Sequence, residues 1–210
     1  MDDPYFLAGT AVPDWLNSVD RRVRARSRRA VPLTEDVDPR VAALARGVVR
    51  HHQDDRWFHE SAAFLELSFE LTRRVREALP TDDGFRPSFL GHILVELLLD
   101  AELIAEKPAL LEAYYRAVTQ VDPRLVSAVV GRIATRPAKD LDRLIPRFVQ
   151  EGFLRDYVDD ARLWMRLNQV MRRVRLPALP ATFVSVVADA RIRVRAQKNE
   201  LLTRQAEVVR

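Results

Sequence analysis

Apolar residues recur at spacings of three and four along most of the chain, and no stretch sustains period-two alternation, so the pattern predicts helices throughout. Asp38-Pro39 supplies an N-cap and a first-turn proline for a helix running past His59 towards Leu79, closed by Pro80 and the turn Thr81-Asp82-Asp83-Gly84. Pro87-Ser88 opens a second helix, Phe89 to about Glu106, and Pro108 a third, to Val121. Asp122-Pro123 restarts the pattern through Ala134, and Pro137 interrupts it before a segment from Leu141 to Phe153. Segments from Arg155 to Val174 and from Ala181 to Arg210 follow, with Pro177 and Pro180 as the hinge between them. The expected fold is all-α, a single-domain bundle of about seven helices over residues 1–210, with 21–36 as an Arg-rich connecting segment.

The most apolar stretch, Phe89 to Leu111, is interrupted by His92, Glu96, Asp100, Glu102, Glu106 and Lys107, which excludes a membrane span there. The start, Met1-Asp2-Asp3-Pro4, is acidic where an export signal is basic, so a cytoplasmic protein is expected. With no Cys among 210 residues, thiolate metal sites, disulfides and Cys nucleophiles are excluded, and any metal must be held by imidazole and carboxylate. The formal net charge is only +4, nearly all of the base being Arg. Six Arg fall within residues 21–29, a segment that reads either as solvated surface or as a docking patch for phosphate or an acidic protein.

All four His lie between residues 51 and 92, in two groups with carboxylates at helical spacing. At about 100° per residue, His51, Asp55 and His59 share an arc of about 80°, on the face that Val41, Leu44 and Val48 make apolar further back. His92, Glu96 and Asp100 repeat the pattern at four-residue steps, beside Phe89 and Leu103. Either set alone is also what an ordinary helix-surface pair looks like, worth a few tenths of a kcal/mol. Both together offer nitrogen and oxygen ligands without sulfur, a mixture suited to Mn, Fe, Zn or Mg in a site that keeps positions open for water and phosphate. His52 lies off this face, as a donor to a ligand or an outer-surface residue, and Trp57, Tyr157 and Trp164 read as core aromatics.

These residues resemble the acyl carrier protein phosphodiesterases, helical hydrolases related to the HD-domain phosphohydrolases, from about Tyr5 to Leu179. The family's leading L-x-G-x-x-x-x-D is matched by Leu7 through Asp14. Its H-x-x-x-D-x-x-x-D helix is matched by His51 and Asp55, with His59 in the last place. Its D-x-x-x-D-H element is met by His92 and Glu96, with Leu97 where the family has His. A late aromatic helix ending in a basic turn resembles Tyr157 through Arg175. The resemblance implies an HD-domain-like fold and a manganese-dependent phosphodiesterase that releases phosphopantetheine from a holo acyl carrier protein. The motif matches and the helical spacing together assign Asp14, His51, Asp55, His92 and Glu96 to the metal, with His59 or Asp100 as an additional ligand or proton carrier and Asp55, His59 and Asp100 as the catalytic candidates. A short His-containing segment precedes the L-x-G stretch in the family, and the expectation is that such a segment lies upstream of residue 1. His59, His92 and Glu96 depart from the family pattern in a direction that suits transition metals and a different phosphate substrate.

Arg21, Arg22, Arg24, Arg172 and Arg173 are the candidates for phosphate or carrier-protein contact. No G-x-x-x-x-G-K, G-x-G-x-x-G or Ser nucleophile elbow occurs, which removes P-loop kinases and serine hydrolases. The competing expectation is a catalytically inactive helical module whose Arg-rich segment binds an acidic protein or nucleic acid.

Overall fold

The computed structural model describes residues 3–79 and 84–203. The predicted turn at Pro80 to Asp83 and the last part of the C-terminal helix, residues 204–210, lie outside the described residues, as do Met1 and Asp2. Among the described residues the fold is all-α, with ten α-helices, two 3₁₀ segments and no named strand. The helices are α1 (Pro4–Val19), α2 (Ser27–Ala30), α3 (Pro39–Glu60), α4 (Ala62–Ala78), α5 (Pro87–Glu106), α6 (Pro108–Val118), α7 (Pro123–Ile133), α8 (Leu141–Glu151), α9 (Asp160–Arg173) and α10 (Phe183–Leu202). Val31–Leu33 and Phe153–Val158 are the 3₁₀ segments.

The expected count of about seven is therefore corrected to ten, for three local reasons. Asp3 caps an N-terminal helix, its carboxylate accepting from the Tyr5 and Phe6 amides at 2.8 and 3.3 Å, with Pro4 in the first turn. The Arg-rich segment contains a single helical turn, α2. Third, the long helix expected from residue 38 to 79 breaks at Ser61, whose backbone is extended (φ −69°, ψ 141°) and whose Oγ accepts from the Phe64 amide at 3.2 Å.

The chain divides into two compact units, one of Met1–Arg56 with Ala109–Gly152, the other of Trp57–Pro108 with Phe153–Arg210. In the first, α1 and α3 meet through glycine. A Cβ built on Gly47 would stand 2.2 Å from the Phe6 carbonyl oxygen, and one on Gly9 would stand 2.2 Å from that of Leu44. Only hydrogen at both positions permits so close a backbone approach. Trp15 and Tyr115 pack on Phe148, each at a ring-centroid distance of 5.5 Å. The segment 23–25 is anchored to the fold although Arg24 itself is exposed. Val23 and Ala25 are buried, and Arg24 exchanges backbone bonds with Thr135, donating its N–H to Oγ1 (3.1 Å) and accepting from the Thr135 amide (2.9 Å).

In the second unit, Leu67 and Leu71 of α4, Leu94 and Leu98 of α5 and Val187 of α10 fill a core that also takes in Leu163 and Leu167 of α9. Helix α10 carries alternating Arg residues whose partners lie on four neighbouring segments. Arg191 reaches Asp160 and the Tyr157 carbonyl, each at 2.7 Å; Arg193 reaches Glu70 at 2.6 Å; Arg195 reaches the buried Glu102 at 2.7 Å. Tyr157 is buried as expected, and Trp164 packs against the same core with its indole N–H donating to the Leu179 and Pro180 carbonyls. Asn168 holds the same strap, accepting from the Leu179 amide at 2.7 Å. No helix among the described residues is long and apolar enough to cross a membrane.

Candidate metal centre

Three side chains of the second unit converge: His59 from the last turn of α3, and His92 and Glu96 from successive turns of α5. Their imidazole nitrogens and carboxylate oxygen all lie within 4.8 Å of one another, and all three residues are half-buried. Both Nε2 atoms address one oxygen, Glu96 Oε1, His59 at 2.7 Å and His92 at 3.2 Å. Burial alone would raise the Glu96 carboxyl, but hydrogen bonds and charge from His92 and His59 outweigh it and hold it below the ordinary carboxylate range. Glu96 is thus an anion at neutral pH facing two imidazoles, a group that can hold a metal ion.

The helix break builds the wall of this site. Ser61 Oγ donates to the Phe58 carbonyl at 2.8 Å while accepting from Phe64, so one hydroxyl ties the end of α3 to the start of α4. Had α3 continued, Phe64 would point about 140° away from His59, five residues earlier. Because the chain turns instead, the Phe64 ring lies 4.7 Å from His59 and 4.9 Å from His92, and Phe58 lies 4.8 Å from Phe64. Neither phenylalanine stood out in the sequence, where Phe64 falls within the short apolar run 62–65. The visible signal was Ser61 itself, a cap residue in mid-helix.

The other expected site residues are not members of this group. Asp14, His51 and Asp55 belong to the first unit, and none is in the metal-capable group found among the described residues. Asp14 and Asp55 are exposed. His51 donates from Nδ1 to the Thr10 carbonyl at 2.8 Å, since a carbonyl can only accept. His52 likewise spends its Nε2–H on the Ala25 carbonyl at 2.7 Å, binding α3 to the Arg-rich segment. Asp100, one turn beyond Glu96 on α5, is exposed and outside the group. His59, expected as an auxiliary, is a full member.

Two of the five arginine candidates, Arg22 and Arg24, have partners within the fold. Arg22 chelates Asp20 through Nε (3.1 Å) and Nη2 (3.0 Å), and that hydrogen bonding lowers the Asp20 carboxyl to about 2. Arg24 donates to Asn17 Oδ1 (3.2 Å) and the Val23 carbonyl (2.9 Å), and Arg29 to the Ala134 carbonyl. Arg21 is exposed, as are Arg172 and Arg173 at the end of α9. The chain matches no family model, no curated protein and no solved structure in the three comparisons made with known proteins.

Proposed function

We propose that this chain is a divalent-metal-dependent hydrolase of phosphodiesters, with His59, His92 and Glu96 as the metal ligands. The observation that carries the reading is the convergence of two imidazole nitrogens and one carboxylate oxygen within 4.8 Å on two helices of one unit. A set of two His and one Glu suits Mn, Fe or Zn and leaves coordination positions for water and for a substrate oxygen. Held there, a divalent ion acidifies water and polarises a phosphoryl oxygen, which is the chemistry a phosphodiester requires. Glu96 supplies the anionic ligand, and the two imidazoles bind through Nε2 once their protons are on Nδ1 or in solvent. Manganese as the metal, and the phosphopantetheine linkage of a holo acyl carrier protein as the substrate, rest on the resemblance described above.

Elemental analysis of the purified protein after incubation with Mn²⁺, Fe²⁺ or Zn²⁺ tests the ligand set. Near-stoichiometric metal is expected, lost in Glu96→Ala and His92→Ala and retained in Asp55→Ala, whose side chain is outside the group. Hydrolysis of bis(p-nitrophenyl) phosphate by the loaded protein tests the reaction, followed by a holo carrier protein. Failure to retain any of the three metals refutes the site, and metal without turnover of either substrate refutes the hydrolase.

A further inference from the structure

We infer that Phe64 is a positioning residue for this centre, setting the planes of both imidazoles so that their nitrogens converge before any ion arrives. The inference rests on the metal reading above. His59 and His92 come from different helices, and a hydrogen bond to one shared carboxylate oxygen fixes the place of each nitrogen without fixing the rotation of each ring. Phe64 constrains that rotation in both rings. Its ring meets the His59 ring at 4.7 Å with an interplanar angle of 61°, and the His92 ring at 4.9 Å and 84°. Both are edge contacts, the arrangement that the quadrupoles of aromatic rings favour. The two imidazoles are left 4.7 Å apart and inclined at 36°.

Phe64 is itself held from three sides, which is what distinguishes a rigid guide from a passive neighbour. It is 2 % exposed, its ring packs on Phe58 at 4.8 Å, and its backbone amide is bound to Ser61 Oγ. A site works when its ligands are kept within about half an ångström and 10–20° by groups whose own rotamers are locked. A leucine at this place fills much of the volume but offers no flat ring for either imidazole to abut.

The test is a Co²⁺ titration of the full chain followed by visible absorption, with imidazole C–H proton shifts recorded on the metal-free protein. Phe64→Leu is compared with Leu67→Ala, a fully buried residue of the same core on α4 that carries no aromatic ring and controls for loss of core stability. In Phe64→Leu the His59 and His92 signals should lose their ring-current displacement, and Co²⁺ affinity should fall about 10-fold or more, the range that orienting partners of metal ligands command. Leu67→Ala should melt earlier yet keep both the shifts and the affinity. Equal Co²⁺ affinity in wild type and Phe64→Leu overturns this inference alone, as does an equal loss in Leu67→Ala. A wild-type protein that takes up no metal overturns the metal reading and this inference with it.

Discussion

Replacing Gly47 by Ala adds one methyl group where α3 crosses α1. The new Cβ would stand 2.2 Å from the Phe6 carbonyl oxygen, 2.8 Å from the Gly9 Cα and 2.9 Å from the Thr10 nitrogen. All three are backbone atoms, so no rotamer change relieves the overlap. Restoring ordinary contact requires the helices to separate by about 1 Å, against close-packed surroundings. Alanine in a helix interior gains about 1 kcal/mol over glycine, whereas overpacking of this kind costs about 1–3 kcal/mol and more where backbone must move. The net expectation is destabilisation by about 2 kcal/mol, a fall in melting temperature of about 4–8 °C for a chain of this size. A second readout locates the damage: moving α1 carries the Thr10 carbonyl away from His51, so the protected Nδ1–H signal of that ring should broaden or vanish. Gly131→Ala serves as control, because a Cβ there meets nothing within 4 Å on the exposed side of α7, and it should stabilise by about 0.5–1 kcal/mol. A Gly47→Ala protein as stable as the wild type, with the His51 signal intact, would refute the close crossing.

Two further predictions address other parts of the chain. Asp38, at the start of α3, accepts from the Arg40 amide (2.9 Å), Nε (3.1 Å) and Nη2 (2.7 Å), and these bonds lower its carboxyl to about 2. Its contribution to stability is therefore present above pH 3.8 and disappears as pH falls through about 2; NMR titration should give that midpoint, and Arg40→Ala should move it up towards 3.8, an unmoved midpoint counting against the pairing. Ser61→Ala removes both the Phe64 cap and the tie to Phe58, so a loss of about 1 kcal/mol is expected in chemical denaturation, accompanied by altered His59 and His92 ring shifts.

What the sequence could and could not reveal follows from the range of the forces involved. Helix starts at Pro39, Pro87, Pro108 and Pro123 were legible because a first-turn proline and its neighbouring cap act within four residues. The break at Ser61 was not, since an apolar pattern continues across it and the competing cap bond costs the helix only about one turn. That single misplaced junction hides the wall of the site, because Phe64 reaches His59 only when the chain turns. His92 and Glu96 were found as partners because four-residue spacing on a straight helix is a local property. The grouping of His51 and Asp55 with them was not local at all: it required two helix faces to meet along their whole length.

The same distinction explains why four histidines on two helices do two different jobs. His51 and His52 each give a ring N–H to a main-chain carbonyl, of Thr10 and of Ala25, and so fasten helices and segments of one unit together. His59 and His92 instead give theirs to a carboxylate, which those rings hold below the ordinary carboxylate range against the opposing effect of burial. A carbonyl bond is complete when made, and nothing is gained by removing its proton. A carboxylate between two imidazoles is a different arrangement, because a divalent ion can replace both protons and pair with all three groups at once. The metal-capable group found among the described residues therefore lies where acceptor and donors are both ionisable, at the end of α3 and the middle of α5.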